Sequence, residues 1–127
     1  MRNGVRVPMH DVIPLHGDYA SDWAIAERCS GKKADFSRVR LYVMPDTLLR
    51  HPKRPLALAT AFPDFNAIVF AWPYTTNQKI IVHEFLHLIA SPDFHDPEIY
   101  QKRCASEVVC WGICMTDTIP SPKRKSR

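Results

Sequence analysis

Between Ile80 and Ile89 the chain reads "IIVHEFLHLI". Ile80, Ile81, Val82, Phe85, Leu86, Leu88 and Ile89 cover almost the whole circumference of a helix in this stretch. A helix that is apolar all round is a buried one, so its three polar positions, His83, Glu84 and His87, are expected in a core. Thr75-Thr76-Asn77-Gln78 fits a capping box with Thr75 as N-cap and Gln78 three residues on. Ser91-Pro92 disfavours continuation beyond about Ala90. A second helix is expected from Asp96 as cap and Pro97 at the first helical position, running to about Met115 despite Gly112.

Upstream of these helices the periodicity changes. "RVRLYVMPD", Arg38 to Asp46, alternates polar residues with Val39, Leu41 and Val43, the pattern of a strand with one buried face. "TLLRHPKRP" is broken by Pro52 and Pro55 and reads as a loop or short helical turn. "LALATAF" and "AIVFAW" are two β-prone runs joined by "PDFN", whose Pro63, Asp64 and Asn66 supply turn chemistry, so an antiparallel hairpin is expected. Near the N-terminus, "YASDWAIAERCS" predicts a short helix capped by Asp18, burying Trp23 and Ile25 and stopping at Gly31. A short helix, a run of strands and then two helices give an α+β class.

The 127 residues suit a single domain, taken as residues 1–118, followed by a basic tail at 119–127 expected to be disordered. Net charge is +4, but four of the 17 basic residues lie in "SPKRKSR", leaving 13 Lys and Arg against 13 Asp and Glu. The body is therefore neutral, and nucleic acid enters only as a contact of the tail. No apolar run approaches the roughly 20 residues of a membrane span. "MRNGVRVPMHDVIPLHGDY" lacks the apolar stretch of a signal peptide, so a cytoplasmic location is expected. The cysteines at 29, 104, 110 and 114 form no C-x-x-C pair. They are expected as buried thiols of a reduced protein.

His83-Glu84-Phe85-Leu86-His87 is an HExxH pattern. Residues i and i+4 of a helix lie about 6 Å apart along the axis and about 40° apart around it. Both imidazoles can thus reach one Zn²⁺ at about 2.0–2.1 Å. Glu84, rotated about 100° from His83, can stand beside the metal as general base without ligating it. Two imidazoles and a carboxylate are costly to bury without a partner, and a metal is such a partner.

"HEFLHLIA", placed after a strand and before a second helix, resembles the zincin superfamily of metallopeptidases over roughly Arg38 to Met115. The resemblance implies a small twisted antiparallel or mixed sheet packed on the HExxH helix, with extended substrate along an edge strand; "NAIVFAW" is the candidate for that strand. It implies one Zn²⁺ per chain and a metallopeptidase that hydrolyses peptide bonds through a metal-activated water, with Glu84 as base and a peptide or protein as substrate. The gluzincin pattern, as in thermolysin-like and small ImmA/IrrE-type peptidases, takes a glutamate from the next helix as third ligand. Glu107 fits it, within the stripe of Tyr100, Cys104, Trp111 and Cys114.

The metzincin pattern offers Asp93 as the alternative, although Ala90 stands where that pattern has glycine. His95 is the last candidate for ligand, at a spacing no common zincin pattern uses. Tyr100, His95 and Tyr74 are candidates to stabilise the transition state. Two other readings stay open: a zincin-like metal-binding regulatory or interaction domain without protease activity, and a SprT-like nucleoprotein-directed protease. The sequence sets no oligomeric state.

Overall fold

The computed structural model describes residues 12–45, 49–50, 56–92 and 94–109. The basic tail, Asp93, and everything after Val109 in the expected C-terminal helix lie outside the described residues, with Cys110, Trp111 and Cys114 among them.

The architecture is a small α+β fold built on a four-stranded mixed sheet. Its elements are β1 (Ile13–Pro14), α1 (Ala20–Ser30), β2 (Arg40–Met44), β3 (Leu49–Arg50), β4 (Leu56–Ala57), β5 (Ala59–Phe62), β6 (Ala67–Ala71) and α2 (Gln78–Ile89). Strand order is β1-β2-β6-β5, with β2 and β6 parallel and the outer pairs antiparallel. β3, within the stretch the sequence suggested as a loop, pairs with β4, the start of the β-prone run "LALATAF", in a separate two-stranded ladder.

The β5–β6 hairpin is as the sequence predicts. Pro63–Phe65 makes a 3-10 turn, and Asn66 closes it in the left-handed region at φ 51°, a conformation asparagine tolerates better than most residues. The hairpin's place in the sheet differs from expectation. β6, from "NAIVFAW", pairs on both sides and is buried throughout, so the edge strand is β5. Its near-continuous apolar run is that of a central strand covered on both faces.

Alternation along the strands divides the core. Leu41, Ala61, Ile68 and Phe70 join Trp23 and Ala26 of α1 and Ile80, Ile81, Val82, Phe85 and Leu86 of α2. Val69, Ala67, Ala71 and Phe62 form a second buried cluster with Tyr42 and Met44 packed against it. Trp23 meets Phe85 edge-on with ring centroids 5.0 Å apart, tying α1 to α2.

α1 ends as expected at Gly31, whose φ of 75° lets its N–H reach the Glu27 carbonyl at 2.9 Å. Ile25 is only partly buried, and Ala26 takes the central position. At the other helix the cap is Asn77 rather than Thr75: its side chain accepts from the Ile80 N–H at 3.2 Å. Gln78 does not close a capping box but donates to Asp22 of α1 at 3.1 Å. α2 stops at Ile89, where both the Ala90 and the Ser91 N–H groups turn back to the Leu86 carbonyl.

The expected long C-terminal helix is a correction. Asp96 does cap, accepting from the Glu98 N–H at 3.0 Å. Beyond this cap the chain forms one π-helical segment, Glu98–Arg103, and then turns from Cys104. The expectation of reduced thiols is also corrected, since Cys29 and Cys104 form a disulfide across 75 residues of sequence. Such a pairing has no spacing signature. Among the described residues, no helix is long and apolar enough to cross a membrane.

Candidate metal centre

α2 carries His83 and His87 one turn apart, with ring centroids 5.4 Å from each other. The chain then leaves the helix and brings a third imidazole back to them. His95 Nε2 lies 3.0 Å from His83 Nε2 and 3.2 Å from His87 Nε2. The three residues offer ligand atoms that all lie within 4.8 Å of one another, close enough to hold a metal ion.

The opposite ring nitrogens fix the chemistry of this cluster. His83 Nδ1 lies 2.8 Å from the Val109 carbonyl oxygen, and His87 Nδ1 lies 2.7 Å from that of Ser91. A carbonyl only accepts, so both Nδ1 atoms must carry the hydrogen. In the neutral rings, each Nε2 then presents a lone pair toward His95. Burial first, and then the neighbouring His87, push His83 down to about 3, so its ring is neutral. Electron-rich nitrogens facing one another at this range repel unless a cation or a shared proton lies between them. Two imidazole nitrogens sharing one tetrahedral ion at zinc's bond length stand about 3.3 Å apart, close to the two separations His95 makes, so the three histidines could share a divalent ion.

Ser91 organises the return of the chain and was missed in the sequence. Fully buried, it uses its carbonyl to orient His87, while its hydroxyl donates to the Phe94 carbonyl at 2.5 Å and accepts from the Asp96 N–H at 3.2 Å. The hydroxyl thus clamps the backbone on both sides of His95. A serine between a helix end and a proline reads only as a stop signal, although a buried hydroxyl requires partners.

Tyr100 forms the floor. Its ring centroid lies 4.9 Å from His83, 5.4 Å from His87 and 4.9 Å from His95, and its hydroxyl donates to the His83 carbonyl at 2.9 Å. Burial, and then the Glu84 charge, push the phenol well above its ordinary value, so it stays protonated. That hydroxyl is committed to α2, which makes Tyr100 a support for the rings. Glu84 is buried, and burial pushes its carboxyl up to about 8, held back by the Ala61 N–H that donates to it. Ala61 belongs to β5, so Glu84 reaches from α2 to the edge strand.

The remaining candidates separate. Glu107, first in the sequence ranking as third ligand, lies in the turn after Cys104 and is not among the three residues brought together. The reason is the break in the expected helix: its stripe ends at Arg103, and Glu107's N–H closes a turn onto the Cys104 carbonyl at 2.8 Å. Asp93 lies outside the described residues. Tyr74 sits in the 3-10 turn Trp72–Tyr74 before α2, packed against both apolar clusters. Comparison of the chain with protein-family models, curated proteins and solved structures gave no match.

Proposed function

We propose that the chain is a zinc-dependent metallopeptidase of zincin type, with His83, His87 and His95 holding the metal and Glu84 as general base. The observation that carries this reading is the convergence of three Nε2 atoms, two of them on rings whose Nδ1–H is spent on a backbone carbonyl. Three protein ligands with a remaining open position are the pattern of catalytic rather than structural zinc. When bound, zinc supplies a Lewis acid that polarises a carbonyl and makes water more acidic.

This chain's own groups account for the rest. Glu84 takes the proton of the attacking water and passes it to the leaving amine. Its ordinary carboxylate basicity is already raised by burial, the direction that suits a base working near neutral pH. The Ala61 N–H fixes the carboxyl against β5, an edge strand whose one strand neighbour among the described residues is β6. An extended peptide chain is the natural partner of such an edge. Tyr100 and the Val109 and Ser91 carbonyls keep the imidazoles oriented.

A second reading, a metal-holding interaction domain without hydrolysis, is favoured by one observation: Glu84, His87 and His95 are all buried. One experiment separates them. Zinc content and cleavage of an unstructured protein substrate are measured on wild type and Glu84→Gln. The peptidase reading expects equal zinc in both and cleavage only by wild type. Zinc-loaded wild type that cleaves nothing across a diverse peptide library leaves the interaction domain standing. Equal cleavage by both proteins removes Glu84 as the base.

A further inference from the structure

The segment that completes the metal centre is held to the rest of the fold by a covalent bond at its middle. His95 lies at its start, the Val109 carbonyl that orients His83 at its end, and Cys104 between them. Cys104 is fully buried and bonded to Cys29 in the last turn of α1. Polar ties of the segment to the helices include the His83 imidazole on the Val109 carbonyl, Tyr100 on the His83 carbonyl, and the Arg103 guanidinium on the Ser30 carbonyl at 2.8 Å, beside the disulfide itself, while Ile99, Tyr100 and Val108 pack into the apolar core. The Glu98 pairs with Lys102 and Arg103 stay within the segment and are solvent-exposed, where ion pairs contribute little.

We propose that the Cys29–Cys104 disulfide regulates the metal centre: the oxidised bond holds the segment from His95 to Val109 in register with α2 and tightens metal binding, and its reduction loosens both. The inference rests on the three-histidine metal site proposed for this chain. Reduction breaks the Sγ–Sγ bond. A dithiol reductant delivers two electrons and two protons, leaves as its own disulfide, and the protein gains two thiols. His83 and His87 keep their helical spacing in either state. The change falls on the freedom of the third ligand and of the carbonyl that sets the His83 tautomer. Groups of the latter kind alter metal affinity by about 10–100-fold when removed. Coupling of two binding equilibria is reciprocal, so the metal must protect the disulfide by the same factor.

The test measures the Zn²⁺ affinity of the full chain by competition with a chromophoric chelator. It compares oxidised protein, phosphine-reduced protein and the double variant Cys29→Ser/Cys104→Ser, with folding followed by far-UV circular dichroism. The expected result is a Kd that rises about tenfold or more on reduction and in the variant, with the helical signal retained and no response of the variant to phosphine. In the reciprocal experiment, wild type is equilibrated with dithiol/disulfide buffers with and without Zn²⁺. The midpoint should move by about 30 mV for each tenfold of coupling. Equal Zn²⁺ affinity in oxidised and reduced wild type overturns the coupling and leaves the metal site intact. No Zn²⁺ binding in any form overturns the metal site and the coupling together. If the variant fails to fold, the wild-type midpoint decides: a midpoint indifferent to Zn²⁺ overturns the proposal.

Discussion

The two halves of the candidate metal centre are built differently. His83, Glu84 and His87 stand on twelve residues of regular α-helix whose apolar neighbours pack against both α1 and the sheet. His95, Ser91, Tyr100 and the Val109 carbonyl belong to a run of turns interrupted by one π-helical segment. The first half takes its geometry from the period of the helix. The second, anchored in the core by Ile99, Tyr100 and Val108, takes the rest of its geometry from particular bonds: a serine clamp, a tyrosine hydroxyl, an arginine on a helix end and a disulfide. A periodic element tolerates the loss of any one contact, whereas a segment placed by single bonds does not.

Perturbations of the second half should therefore reach the metal, and perturbations of α2's ends should not. The largest expected effect comes from the disulfide. For a closed loop of 75 residues, chain entropy gives a loss of up to about 4.5 kcal/mol on removal, read by chemical denaturation of Cys29→Ser/Cys104→Ser. Hydrogen exchange should show protection lost first in residues 95–109, with α2 amides still protected. Loss of protection in α2 first would break the comparison.

Next is Ser91→Ala, which leaves the Phe94 carbonyl and the Asp96 N–H without the hydroxyl. Zn²⁺ affinity should fall about 10–100-fold, roughly 1.4–2.7 kcal/mol, with the fold retained. In the Co²⁺-substituted protein the visible spectrum should change, a readout that a purely structural serine would leave alone. The smallest effect is at the N-terminus of α2. Asn77→Ala removes a cap and should cost about 1 kcal/mol of stability with no change in metal affinity. Thr75→Ala should cost less, since its hydroxyl makes only a 3.4 Å contact to the Trp72 carbonyl.

The same division governs what the sequence revealed. α2, the β5–β6 hairpin and the Gly31 stop of α1 are local features, each written in a few adjacent residues: an apolar helix stripe, "PDFN", a glycine at positive φ. The HExxH spacing belongs to the same class, so two histidines of the cluster and the carboxylate beside them could be named. The position of β6 in the middle of the sheet depends on its parallel pairing with β2, a long-range contact that alternation does not encode. That His95 rather than Glu107 comes to lie beside the two helical histidines depends on where the second helix ends, and neither Asp96 nor Pro97 carries that information. Two contacts that orient the imidazoles, the Ser91 and Val109 carbonyls, are backbone atoms with no residue signature at all.

The most direct test of the three-histidine centre is the metal content of three purified proteins by mass spectrometry: wild type, His95→Ala and Glu107→Ala. A site of His83, His87 and His95 predicts about one zinc per chain in wild type and in Glu107→Ala, and none in His95→Ala. Zinc retained in His95→Ala and lost in Glu107→Ala would contradict it, returning the third ligand to the glutamate.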